Sequence, residues 1–253
     1  MNVAQNLERP SLRRHSVRLR HHIRVRRLHD HNIPLFLKRT VAAQIHAWAA
    51  LASFGAVMAL LGLSYSHGWQ HLLFSGVFGA SAIMLFSSSA LMHFFTQGFR
   101  VSRKFEHLLE SLDKVCIHVL IAGTYTAIIA LTLKDPLRTQ MFITVWILAV
   151  VGILYTVFYT RFPNFLQSRL LYTGQFLALG WLCLLFINEI IAAFSPTQIF
   201  LCFAGGGLYS IGAVIYVLER PNPTKHFGYH EIWHTLVALG CTSFFMVVFL
   251  HYL

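Results

Sequence analysis

Residues 114–133 read KVCIHVLIAGTYTAIIALTL, twenty positions with a single charge at the leading edge. About 20 apolar residues wound as a helix cross the roughly 30 Å hydrocarbon core of a bilayer, and a helix satisfies its backbone hydrogen bonds within the segment. The same pattern recurs outward in both directions. Apolar runs bounded by charge, Pro or Gly occupy residues 41–63, 71–95, 140–159, 170–191, 197–218 and 229–252, so the expected fold is an all-α bundle of seven transmembrane helices. The connectors SYSHGWQ (64–70), KDPLRT (134–139), TRFPNFLQS (160–168) and ERPNPTKHFG (219–228) are short, as in a bundle. The longest, 96–113, is basic and polar. Composition agrees: 56% of the 253 residues are hydrophobic and 11% charged, against roughly a quarter charged in a soluble domain. A water-soluble globule is excluded, and an integral multi-pass protein of the cell membrane is expected.

The net charge of +11 is unevenly placed. Residues 1–40 carry ten of the twenty Lys and Arg against two acids, Glu8 and Asp30, and are read as a basic cytoplasmic tail ahead of a membrane domain at 41–253. Short cytoplasmic loops are rich in Lys and Arg. With the N-terminus inside, eighteen of the twenty basic residues fall on the cytoplasmic side, and only Lys134 and Arg138 fall outside. Seven crossings then leave the C-terminus extracytoplasmic. The segment RHSVRLRHHIRVRRL (14–28) is too polar to cross. It suits anionic lipid headgroups, at about 1 kcal/mol per basic residue near the surface. It lacks the interleaved aromatics of a nucleic-acid surface, so no nucleic-acid partner is expected.

The four cysteines, Cys116, Cys183, Cys202 and Cys241, lie in different apolar blocks without CxxC spacing and read as buried small hydrophobes. Glycines inside the blocks, such as Gly123, Gly205 and Gly240, read as points of close helix approach.

Ionisable groups inside a membrane are costly and mark functional sites. The seventh block opens with Gly228-Tyr229-His230-Glu231-Ile232-Trp233-His234, the second ends with Ser89-Ala90-Leu91-Met92-His93, and the third begins at Asp113. His230 and His234, four apart, share one helix face, as do Ser89 and His93. The topology independently places His93, Asp113, His230 and His234 at one membrane depth. Three neutral imidazoles suit a tetrahedral Zn²⁺ with one open position for water. Asp113 would then orient or deprotonate that water, and Ser89 would hydrogen-bond to it or to a ligand. Other histidines read as structural. His118 lies about 140° around the helix from Asp113, and His46, His67, His71, His107 and His226 fall near helix ends or in loops.

Taken in order, the SxxxH of Ser89 and His93, Asp113, the IAGTYT of residues 121–126 and the HxxxH of His230 and His234 resemble the bacterial hemolysin III family. That family belongs with the progestin and adipoQ receptors, including the adiponectin receptors, and is distantly similar to alkaline ceramidases. The resemblance covers about residues 41–253. It implies a seven-helix fold holding zinc on His93, His230 and His234, with Asp113 contacting the zinc-bound water beside Ser89. Ala127 stands where relatives have a proline after IAGTYT, and Ala43-Gln44-Ile45-His46 stands where many have Asn and Thr before the histidine.

Two function classes follow. One is a zinc-dependent hydrolase of lipid amide or ester bonds at the cytoplasmic side, with membrane lipids as substrates. The other is a receptor or signalling protein, or a pore-forming cytolysin, in which zinc is structural. The string HEIWH also meets the HExxH pattern of zinc proteases, where the glutamate is the general base. However, the nineteen residues after His234 hold no Asp or Glu for a third ligand, which disfavours a protease. Reporter fusions at Arg20 and Leu253 are expected to report opposite compartments, the first cytoplasmic; both on one side would overturn the topology.

Overall fold

Hydrocarbon offers no water to backbone N–H and C=O groups, so each apolar block closes its own hydrogen bonds as a helix. The computed structural model describes residues 41–224 and 227–253. Among these residues the secondary structure is all helical, and seven spans are long and apolar enough to cross a membrane. The first four are α1 (Val41–Tyr65), α2 (Trp69–Gly98), α3 (Arg103–Thr132) and α4 (Leu137–Val157). The fifth, Arg169–Ala193, consists of α5 (Arg169–Gly180), a 3₁₀ stretch (Trp181–Phe186) and α6 (Ile187–Ala193). The last two are α7 (Pro196–Leu218) and α8 (Tyr229–His251). The readings of the 1–40 tail, its headgroup contacts and His226 lie outside the described residues.

Six of the seven spans match the apolar blocks to within a few residues, and the third starts eleven residues early. The polar segment expected as the connector 96–113 is mostly helix: the Ser102 side chain accepts the Phe105 N–H at 3.3 Å, and Glu106 sits in the first turn, where the helix dipole favours an acid. Hydropathy marks where a helix meets lipid, whereas capping marks where it begins. Asp113 therefore lies ten residues inside α3, not at its start. Elsewhere the ends follow local chemistry. Gly68, at φ 105, makes the tight turn from α1 to α2 in a conformation that other residues adopt at a cost. Ser195 and Gln198 form a capping box that spans Pro196 at the start of α7. Asp135 accepts hydrogen bonds from Thr139 and Arg138 in the first turn of α4, which hold its carboxyl below the usual carboxylate range.

The helices pack as a ring around α3. Neighbours pack in order from α1 to α4, α5 packs on α4 and α7, α7 on α8, and α8 returns to α1. The central α3 touches α2, α4, α5, α6 and α8. One buried cluster joins α1, α2, α3 and α8 through Leu60, Phe78, Leu85, Leu120 and Val248. A second joins α3, α4, α6 and α8 through Ile129, Val145, Ile190 and Val247. Exposed Leu51, Phe54 and Met58 on α1, and Ile147, Val151 and Leu154 on α4, form the apolar outer surface that lipid covers. A side chain at Gly123 would meet Ser81, at Gly205 Phe244, and at Gly240 Tyr209, so these positions are close helix contacts as expected. All four cysteines are free.

The fifth span departs from the continuous helix read from its sequence. At the switch from α-helix to 3₁₀ geometry, backbone groups lose their regular partners, and Tyr125 of α3 supplies replacements. Its hydroxyl donates to the Gly180 carbonyl at 2.6 Å and accepts from the Cys183 N–H at 2.8 Å. Trp181 in the same stretch donates to Ser210 of α7 at 3.1 Å. The break is thus fastened on two sides, which makes it a fixed feature of the bundle wall. Replacing Tyr125 by Phe removes both hydrogen bonds while keeping the ring. It is expected to lower stability by about 1–2 kcal/mol, measured by thermal unfolding in detergent, with helix content unchanged.

Candidate metal centre

The histidine cluster is assembled by two helices. His93 comes from the last part of α2, and His230 and His234 lie one turn apart at the start of α8. The Nε2 atoms form a triangle: 2.9 Å between His93 and His234, 2.9 Å between His230 and His234, and 3.3 Å between His93 and His230. His93 and His234 are buried, each 3% exposed, and His230 is half-buried. A neutral imidazole offers one N–H and one lone pair. Three Nε2 atoms facing a common point therefore leave either opposed lone pairs or crowded protons, and a cation among them removes both conflicts. A tetrahedral site with metal–nitrogen distances of about 2.0–2.1 Å sets its nitrogens about 3.3 Å apart, close to the triangle's edges. These residues could hold a metal ion, and among the described residues theirs is the one such cluster of His, Cys, Asp and Glu.

Two of the outer ring nitrogens are engaged as well. His93 Nδ1 lies 3.0 Å from the Gln97 side-chain amide, one turn along α2. His234 Nδ1 lies 2.9 Å from Nε2 of His46 on α1. The sequence reading left His46 with the structural histidines near helix ends. Its place five residues into the first block, at the same end as the other three, was the available signal. His118 does keep a structural place: its ring packs on Phe176 at 4.6 Å between centroids and fills the space left by Gly152. His71 lies at the opposite end of its helix from His93, bonded through Nδ1 to Tyr252 at 3.2 Å.

Two cavities meet at the cluster. One, enclosing about 1300 Å³ including its mouth, runs between the helices and is lined mainly by apolar side chains such as Leu120, Ile128, Phe176, Phe203 and Val237. It also touches His46, Ser89, Asp113 and His234, and Gly180 at the end of α5 joins Trp181 and Cys183 of the 3₁₀ stretch in its wall. The other, of about 940 Å³ including its mouth, is lined mostly by residues with polar groups. His93, Asp113, His230 and His234 line it together with Gln97, Glu110, Lys114, Tyr172 and Tyr216. Asp113 and His234 border both cavities. Ser89, fully buried one turn before His93, has no ordinary hydrogen-bond partner for its hydroxyl, and the Asp113 carboxyl is its polar neighbour.

Comparison with models of known families matches residues 36–245 to the family described as Haemolysin-III related. The chain belongs to the haemolysin III family. It is 33% identical over 215 residues to the Hemolysin-3 homolog of Bacillus subtilis (strain 168), a match that covers 84% of this chain and 93% of the relative. It is 31% identical over 220 residues to Hemolysin-3 of Bacillus cereus, covering 86% and 94%. Its family and its seven apolar helices agree in making this haemolysin III chain a multi-pass integral membrane protein.

Glu231, the acid of the HExxH string, does other work in this haemolysin III protein. Its Oε2 accepts the Gly228 N–H at 2.8 Å and so closes the first turn of α8. It lines neither cavity. The fold thus uses Glu231 as a helix cap, whereas Asp113 lines both cavities. Glu231→Gln, which retains an acceptor for the Gly228 N–H, is expected to hold as much metal as wild type in elemental analysis. The double change His230→Ala, His234→Ala is expected to hold none. Metal loss in Glu231→Gln alone would return that glutamate to the site.

Proposed function

We propose that this haemolysin III protein is a zinc-dependent hydrolase of lipid amide or ester bonds, acting at the end of the bundle that faces the cytoplasm. The observation that carries the reading is the junction at Asp113 and His234, where the apolar cavity meets the one lined mostly by residues with polar groups, beside three convergent imidazoles. An amphiphile fits that junction, with its acyl chain between the helices, its headgroup among Gln97, Lys114 and Tyr216, and its linkage at the histidines. The cytoplasmic placement rests on the charge bias of the connectors.

Zinc is the favoured occupant because three imidazoles with no thiolate or carboxylate in the triangle suit a redox-inert tetrahedral ion with one open position. Bound there, it would supply Lewis acidity toward the scissile carbonyl and toward water. The chain's own residues do the rest. Asp113 takes a proton from the water as its oxygen adds to the carbonyl carbon, and it returns that proton to the nitrogen or oxygen that leaves. The Ser89 hydroxyl holds the carboxyl, or the substrate carbonyl, in place. The apolar walls exclude bulk water, which strengthens each of these polar contacts.

A second reading, a cytolysin with a structural zinc, is favoured by the name hemolysin carried by both relatives. Asp113→Asn separates the two, because it should keep the metal and lose the base. Turnover of ceramides and phospholipids is expected to fall by about 10²–10⁴-fold with zinc content unchanged. A wild type that holds zinc, is inert toward these lipids and releases dye from vesicles would overturn the hydrolase in favour of the cytolysin.

A further inference from the structure

We infer that His46, on the first helix, positions His234 for metal binding by accepting a hydrogen bond from the N–H of its outer ring nitrogen. His46 has this role only if the three histidines hold a metal, as proposed above. The geometry is specific. His46 is 2% exposed, its ring stands nearly perpendicular to that of His234 with centroids 4.0 Å apart, and Phe86 abuts its other side at 5.2 Å. Its Nε2 lies 2.9 Å from His234 Nδ1, while its own Nδ1 is buried without a partner. A polar ring placed in an apolar interior with one nitrogen unused is costly for packing alone. Its polarity is spent on His234.

The chemistry fixes the direction of that hydrogen bond. His234 can bind a cation through Nε2 only with its lone pair there, so a neutral His234 must carry its proton on Nδ1. That N–H then donates to His46 Nε2, which in turn must be the unprotonated nitrogen of His46. The opposite arrangement, with His46 Nε2–H donating to His234 Nδ1, would put a proton on His234 Nε2 and block the site. His46 as acceptor therefore selects the metal-ready tautomer of His234 and holds its ring toward the triangle. On α2 the Gln97 amide nitrogen lies 3.0 Å from His93 Nδ1. The support for His234 on α8 thus comes from another helix, α1.

The test uses the full-length protein purified in detergent, stripped of metal and titrated with Zn²⁺ against a competing chelator, with Co²⁺ absorption as a second readout. His46→Gln keeps an acceptor at similar reach, whereas His46→Met has nearly the same length and shape as Gln without that acceptor. His46→Met is expected to bind Zn²⁺ about 10–100-fold more weakly than wild type and to shift the Co²⁺ bands. His46→Gln is expected to stay near wild type in both, with metal-free melting alike for the two variants. His46→Leu replaces the Met variant if that one does not fold. Wild-type affinity and spectrum in the acceptor-free variant, or equal losses in both variants, would overturn the role of His46 and leave the metal centre standing. A wild type that binds neither ion would overturn the centre itself.

Discussion

The absence of water in the bilayer core governs this molecule. It obliges each backbone amide between residues 41 and 253 that lies in the hydrocarbon to find a partner within the protein, which makes helices of every apolar block. The same constraint makes each buried polar side chain conspicuous, because none can be satisfied by solvent. Where the chain departs from regular helix it supplies the replacement: Tyr125 serves both the Gly180 carbonyl and the Cys183 N–H at the break in the fifth span. Gln198 likewise reaches the Val247 carbonyl of α8 at 3.0 Å.

The ring of helices around α3 turns this constraint into a site. Because α3 is the axis, the residues it presents inward face several helices at once: Tyr125 meets the fifth span, and Asp113 borders both cavities. The break lets Gly180 and Trp181 form part of the wall of the apolar cavity, which an unbroken helix would shape differently. Where that cavity reaches His234, α2 and α8 bring three imidazole nitrogens to within 3.3 Å of one another. A metal ion held there would link the packing of the whole bundle to the chemistry of its centre.

Two acids close to the histidines in sequence or in space have different fates. Glu231 adjoins His230 in the chain and looks catalytic by pattern, yet it bonds the backbone of its own first turn. Asp113 is more than a hundred residues from His230, yet it lines the same cavity. An HExxH match therefore carries little weight without the fold. The direction in which a side chain leaves its helix decides its role, and at the first turn of α8 the Gly228 N–H, which has no partner within the helix, competes successfully for the glutamate.

Much of this was legible in the sequence, for a physical reason: hydropathy is a local sum over about twenty residues, so the number of spans and most of their limits follow from composition alone. The i, i+4 spacings of Ser89 with His93 and of His230 with His234 are equally local, and the charge bias of the loops adds a common depth. Helix ends set by capping were less legible, as the early start of α3 at Ser102 shows, because a cap depends on two or three residues that barely alter a hydropathy average. What only the tertiary structure decided is who meets whom. His46 and His234 are 188 positions apart, and the break at Gly180 is held by a tyrosine 55 positions away. Such contacts depend on how helices pack and rotate against one another, which no local average over the chain contains.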